Sequence, residues 1–215
     1  MDAVFGNLDL YVRGFLETVR LSLLAAVGSL VLGTLLAAFR VSPIPPLRAL
    51  GATYVEVVRN TPLTVVFFLL LFGLPQVDLT LGFLTAAVAA LTIYTAAFVC
   101  EVVRSGINSV STGQAEAARA IGLTFPKTMR HVILPQAFRT VVPPMGNVYI
   151  AMVKNSAIAG AFGVAELLGV GRRLTVTNPG AVIPVLLGVA VAYLILTLSL
   201  GLFFGVLERR VAIAR

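Results

Sequence analysis

Long apolar runs broken by short charged stretches dominate this chain. Leu21 to Phe39, Asn60 to Val77 and Leu79 to Cys100 carry no charged residue. Thr140 to Ala165 is interrupted only by Lys154, and Leu174 to Leu207 is again uncharged. The runs are too long for strands and do not alternate, so they read as helices. A helix needs about 20 apolar residues to cross ~30 Å of hydrocarbon. The pattern predicts an all-α membrane protein with spans at about 11–39, 60–75, 79–104, 136–162 and 181–207. The first reaches back to Tyr11 because Arg13, Glu17 and Arg20 recur at helical spacing. The last starts near Ala181, after Pro179.

The polar interruptions predict local structure. Pro43, Pro45 and Pro46 end the first helix, and a short helix over about 47–59 follows. A cytoplasmic loop is expected over about 105–135. Within it, Ser111 and Gln114 fit a capping box opening a helix over 112–121. That helix is ~15 Å long, too short to span. Gly122 suits a left-handed stop, Thr124 a second cap, and Pro135 a break before the fourth span. Taken by spacing alone, the short helix equally suits an amphipathic segment resting on lipid head groups.

Composition agrees with the pattern: 59% of the 215 residues are hydrophobic and 12% charged, with a mean hydropathy of +1.00. This is one domain's worth of chain, residues 1–215, without a second composition. The net charge of +7 reflects basic loops that orient the chain rather than nucleic-acid binding. Arg40, Arg48 and Arg59, then Arg104 to Arg139, then Arg209, Arg210 and Arg215 place those loops in the cytoplasm. The N-terminus is then outside and the C-terminus inside. The N-terminal stretch lacks the early basic region and cleavage site of a signal peptide.

One Cys (Cys100) and one His (His131) exclude a Cys/His metal cluster and argue against a His-based triad. There is no glycine-rich loop ending in GK[ST] and no GxGxxG after a strand. No catalytic residue, metal ligand or cofactor is assigned to the chain.

Several polar residues at membrane depth are candidate substrate contacts. Lys154 costs roughly 2.5–3.5 kcal/mol at a helix centre and should face a cavity or the bundle interior. With Asn155 and Ser156 it would suit an α-carboxylate; alternatively it snorkels or pairs with Glu101. Asn60 and Thr61 open the second span as substrate donors or as helix caps. Tyr94 and Glu101 share a helix face, and Glu101 either receives an ammonium or pairs with Arg104. Gly201 and Gly205 form a GxxxG step.

The stretch EAARAIGLTFPKTMRHVILP (116–135) resembles the EAA loop of ABC-importer permeases, with Glu116, Ala117, Ala118, Gly122, Leu134 and Pro135 in register. Val132 replaces the pattern's Ile. Residues 57–75, 95–107 and 153–167 are similar to permeases of the polar amino-acid uptake family. The resemblance implies the five-span fold of a type I importer permease in the bacterial cell membrane. It implies that Glu116, Ala117, Ala118, Arg119, Gly122, Leu123 and Thr124 form a coupling helix docking on a separate ATPase subunit, present in two copies and holding ATP and Mg. A second permease, identical or homologous, an extracytoplasmic solute-binding protein, an amino-acid substrate and membrane lipid complete the implied partners. Alternating access would carry a polar or charged amino acid. The rival readings are an ion-coupled secondary amino-acid transporter or channel needing no ATPase, and an intramembrane Ser-Lys enzyme. The first would want more intramembrane acidic residues than Glu101. The second fails because Lys154 and Ser156 point apart on one helix.

Overall fold

A computed structural model describes residues 2–211. Among the described residues it is helical, without strands. After α1 (Asp2–Phe5), α2 runs from Leu8–Val41 and α3 from Pro45–Arg59. The Pro residues at the start of α3 occupy positions where no intrahelical N–H is needed, so they open this helix as they close the previous one. At Asn60–Thr61–Pro62 the chain turns by 102° into α4 (Leu63–Phe68), whose helix loosens into a π turn and a 3-10 turn ending at Val77. α5 covers Phe83–Asn108 and α6 Thr112–Ala120. α7 (Phe125–Thr128) leads through a π turn (Met129–Ile133) into α8 (Leu134–Asn155). Then come α9 (Ala157–Ala161), α10 (Leu167–Thr177) and α11 (Val182–Val211).

Among the described residues three helices are long and apolar enough to cross a membrane: Leu8–Val41, Phe83–Asn108 and Pro179–Val211. The bent pair Pro45–Arg59 with Leu63–Val77 makes a fourth if it counts as one span. α8 stands at the position of the fourth of the five expected spans, but it ends at Asn155. Ser156 keeps helical angles, and α9 carries the chain on in helix to Ala161.

Pro135 does not break the chain. The π turn before it shifts the pairing, so Leu134 donates to Met129, and the helix runs on past the proline.

α2 and α5 form the central pair. α2 buries Gly14, Thr18, Ser22, Ala25, Ser29, Gly33 and Ala37, a stripe of small side chains at near-regular spacing of four. α5 answers with Ala86, Ala90 and Ala97. A Cβ on Gly33 would stand 2.6 Å from Val99 Cβ and 2.8 Å from the Ala96 carbonyl. Backbones this close gain van der Waals contact where lipid offers no hydrophobic drive. The GxxxG step of α11 does not act this way: an added Cβ at Gly201 meets only Ile150, at 3.8 Å, and at Gly205 nothing within 4 Å.

A second core joins α10 to the starts of α2 and α11 through Tyr11, Leu167, Val170, Leu174, Val185 and Val189. Glu166, fully buried, anchors it. Its carboxylate caps α10 by accepting from Gly169 N (2.7 Å) and Leu168 N (3.0 Å), and Tyr193 of α11 donates to it. Burial is the larger influence and lifts the Glu166 carboxyl above the ordinary carboxylate range, while these three donors pull it down. Thr18 Oγ1 accepts from Leu167 N at 3.1 Å, tying the cap to α2.

Candidate functional site

The fold brings the predicted polar residues to two neighbouring openings that share Phe98. One, of about 440 Å³, is lined by Arg40, Glu56, Arg59, Asn60, Phe98 and Glu101 among others. At its centre Glu101 of α5 is clasped by three arginines from three helices. Arg40 of α2 donates to Oε1, Arg104 to Oε2 at 3.0 Å, and Arg59 of α3 lies 3.9 Å away. Arg59 also stands over the Phe98 ring, 5.5 Å from its centre. With Glu56 also on the lining, two carboxylates face Arg40 and Arg59, and Arg104 beside Glu101 brings the balance to one positive charge. Arg59 is the most accessible of the three, with 46% of its side chain exposed.

The other opening, of about 390 Å³, lies between α5 and α8 and is lined by Tyr94, Phe98, Asn147, Ala151 and Asn155 among others. Tyr94 packs on Phe98 with ring centres 5.2 Å apart. Asn147 and Asn155 are eight residues apart on α8, so they present amides two turns apart on one face.

The remaining candidates fall differently. Asn60 Nδ2 donates to the Glu56 carbonyl (2.7 Å) and Thr61 Oγ1 to the Val57 carbonyl (2.8 Å), so both close the end of α3 rather than cap α4. Asn60 still borders the cationic opening. Lys154 is exposed and lines neither opening, and among the described residues it makes no ion pair with Glu101. Ser156 donates to the Val153 carbonyl at 2.7 Å and is fully buried, so it lines neither opening. Sequence reading missed Arg40 and Asn147, because nothing local tells which residues of distant helices meet.

The cytoplasmic insert folds as a short helix and a tight stop. Ser111 and Thr124 occupy the N-cap positions of α6 and α7, but neither side chain makes a cap hydrogen bond. The capping box with Gln114 is therefore absent; the Gln114 N–H bonds the Ser111 carbonyl instead. Gly122 takes φ +85°. Its N–H bonds the Arg119 carbonyl (2.9 Å), and Leu123 N–H reaches back to Ala118 (3.0 Å), a Schellman stop. Glu116, Ala117 and Arg119 are exposed while Ala118 turns inward. Ile121 (79% exposed) and Phe125 (74%) add an apolar edge beside them.

Comparison with known proteins places this geometry in context. The chain is 43% identical over 207 residues to a probable glutamine ABC transporter permease protein of Bacillus subtilis, covering 96% of this chain and 95% of that one. It is 42% identical over 214 residues to a glutamate transport system permease protein of Corynebacterium efficiens, covering 94% and 93%. The crystal structure of an amino acid ABC transporter with histidines superposes with a TM-score of 0.90 at 34% identity, covering 96% of each chain. An inward-facing methionine ABC transporter superposes at 0.77 with 26% identity, covering 96% and 98%. The helices thus adopt the type I importer-permease fold. Residues 29–213 match the sequence pattern of one family across most of the chain, and the chain belongs to that family, the binding-protein-dependent transport system inner membrane components.

Proposed function

We infer that this chain is the membrane permease of an ATP-driven importer of polar or charged amino acids. The observation that carries the substrate class is the pair of openings joined at Phe98, one cationic with carboxylates at its edge, the other lined by amides and a phenol. An α-amino acid offers a carboxylate and an ammonium a few ångströms apart. Arg59 suits the first and Glu56 the second, Glu101 acting by holding the arginines in place, and Asn155 and Tyr94 suit a polar side chain. Asn60 borders the same path, while Lys154 and Thr61 line neither opening. The relatives named for glutamine and glutamate support this substrate class.

The chain has five spans in this reading, with the N-terminus outside and the C-terminus cytoplasmic, which follows the arginine bias. Two such permeases, identical or homologous, enclose the path. A solute-binding protein delivers the amino acid from outside. Two ATP-binding subunits dock on α6 through Glu116, Ala117, Arg119, Gly122, Leu123 and Thr124, with Ala118 supporting from within and Ile121 and Phe125 adding apolar contact. ATP and Mg belong to those subunits; the chain itself catalyses nothing. Their closure moves α6 and shifts the spans between inward-open and outward-open populations.

Reconstitution with the ATPase and binding protein tests the reading. ATP hydrolysis should rise with one or more of glutamine, glutamate, arginine and histidine. An assembled complex that no amino acid stimulates would overturn the substrate class.

A further inference from the structure

A second groove runs along the bundle, apolar where the first is charged. Its outer lobe, about 450 Å³, lies between α2, α8 and α11, bounded by Val19, Leu23 and Leu196 at one end. Its inner lobe, about 420 Å³, reaches α5 and ends at Ile107, Leu134 and Leu207. Tyr149, Phe203 and Phe204 line both lobes, so the two are one groove. Apart from the Tyr149 hydroxyl, which reaches the Ala26 carbonyl at 3.4 Å, the polar atoms in the lining side chains are the hydroxyls of Ser22, Thr34 and Ser199.

The geometry points to a seat for an anionic glycerophospholipid, with one acyl chain in the groove and the phosphate at its cytoplasmic mouth. Length is the first argument. From Leu196 to Leu207 the groove follows α11 for ~17 Å, close to the ~15 Å depth of one leaflet. Volume is the second: lobes of about 450 and 420 Å³ joined end to end leave room for a flexible hydrocarbon chain. A void here would forfeit dispersion contacts on every wall, and in a bilayer the nearest filler is lipid.

Charge supplies the headgroup. Arg210 lies three residues beyond Leu207 on α11, and Arg130 four residues before Leu134, so each continues a helix face that lines the inner lobe. Both are exposed, and neither is in an ion pair among the described residues. At the outer end the nearest arginine, Arg20, is engaged by Glu17 at 3.5 Å. At the cytoplasmic mouth Glu208 follows Leu207 but Arg209 offsets it, so Arg130 and Arg210 leave that mouth with an excess of positive charge. Two guanidiniums there suit a phosphate diester in the inner leaflet.

Photo-crosslinking tests this on the assembled complex in lipid nanodiscs. Phosphatidylglycerol bearing a diazirine on one acyl chain should label Tyr149, Phe203 and Phe204 several-fold more than Leu194 and Leu198, exposed residues of α11 outside the lining. Phosphatidylcholine with the same chain should label the groove more weakly. Arg130→Gln and Arg210→Gln should each cut phosphatidylglycerol labelling about fivefold while the complex still assembles, and should leave phosphatidylcholine unchanged. A bulky Ser199→Phe should also suppress groove labelling. Even labelling along α11, equal labelling by the two lipids, or a Ser199→Cys disulfide between two copies would each overturn the proposal.

Discussion

Gly122→Val changes a backbone preference and little else. An added Cβ at this position meets no atom within 4 Å, so space is no obstacle. The obstacle is φ +85°, which an L-residue adopts at a cost of ~1–2 kcal/mol, with a β-branched one at the upper end. The substituted turn either bears that strain or opens and releases the Ala118 and Arg119 carbonyls. In both cases α6 is no longer presented in its docked geometry. If the strain appears wholly in docking, ATPase affinity falls about 5- to 30-fold. The assay is purification of the complex through a tag on the ATPase, with the permease remaining in each membrane preparation quantified separately. The Gly122→Val protein should stay in the membrane and be lost from the eluate. Gly122→Asn should recover most of the binding, because Asn tolerates the left-handed region. Gly113→Ala, equally open but with no positive φ, should bind as wild type does. Wild-type retention by the Val variant, or an Asn variant no better than Val, would refute the reasoning.

Other substitutions separate packing from charge. Gly33→Ala should lower thermal stability by about 1–3 kcal/mol, because its Cβ is aimed at Val99 and the Ala96 carbonyl, while Gly205→Ala should be neutral; unfolding scans of the purified complex compare them. Glu101→Gln strips the charge that holds Arg40, Arg59 and Arg104 together and should cost about 1–3 kcal/mol in the same scans, with a loss of amino-acid-stimulated ATP hydrolysis. The Glu166 carboxyl is raised on folding, so its contribution is fully present below the unfolded value of ~4.3 and is lost as pH rises through the folded value. Wild type should therefore lose stability relative to Glu166→Gln as pH is raised from about 4 toward 8; parallel profiles would show that Glu166 does not titrate in that way.

The sequence by itself determined the class of the molecule and its punctuation. Apolar runs of membrane length, prolines at 43–46 and a glycine at 122 act within a turn or two of chain, and such effects survive in any tertiary setting. The arginine distribution carried the expected orientation, and the pattern from Glu116 to Pro135 with residues 57–75, 95–107 and 153–167 carried the family resemblance, since each is read from contiguous sequence. Tertiary structure decided which polar residues meet. Arg40 and Glu101 are 61 positions apart and come together only because α2 and α5 cross on a stripe of small residues. The packing of α8, α10 and α11 likewise left Lys154 outside the polar openings, sealed Ser156 inside and buried Glu166 at the start of α10. Pro135 makes the same point at short range. A proline removes one donor wherever it stands, but whether the helix breaks depends on whether the preceding turn can widen, and here it does. Local chemistry sets what each residue can do; the packing of helices sets what each has within reach.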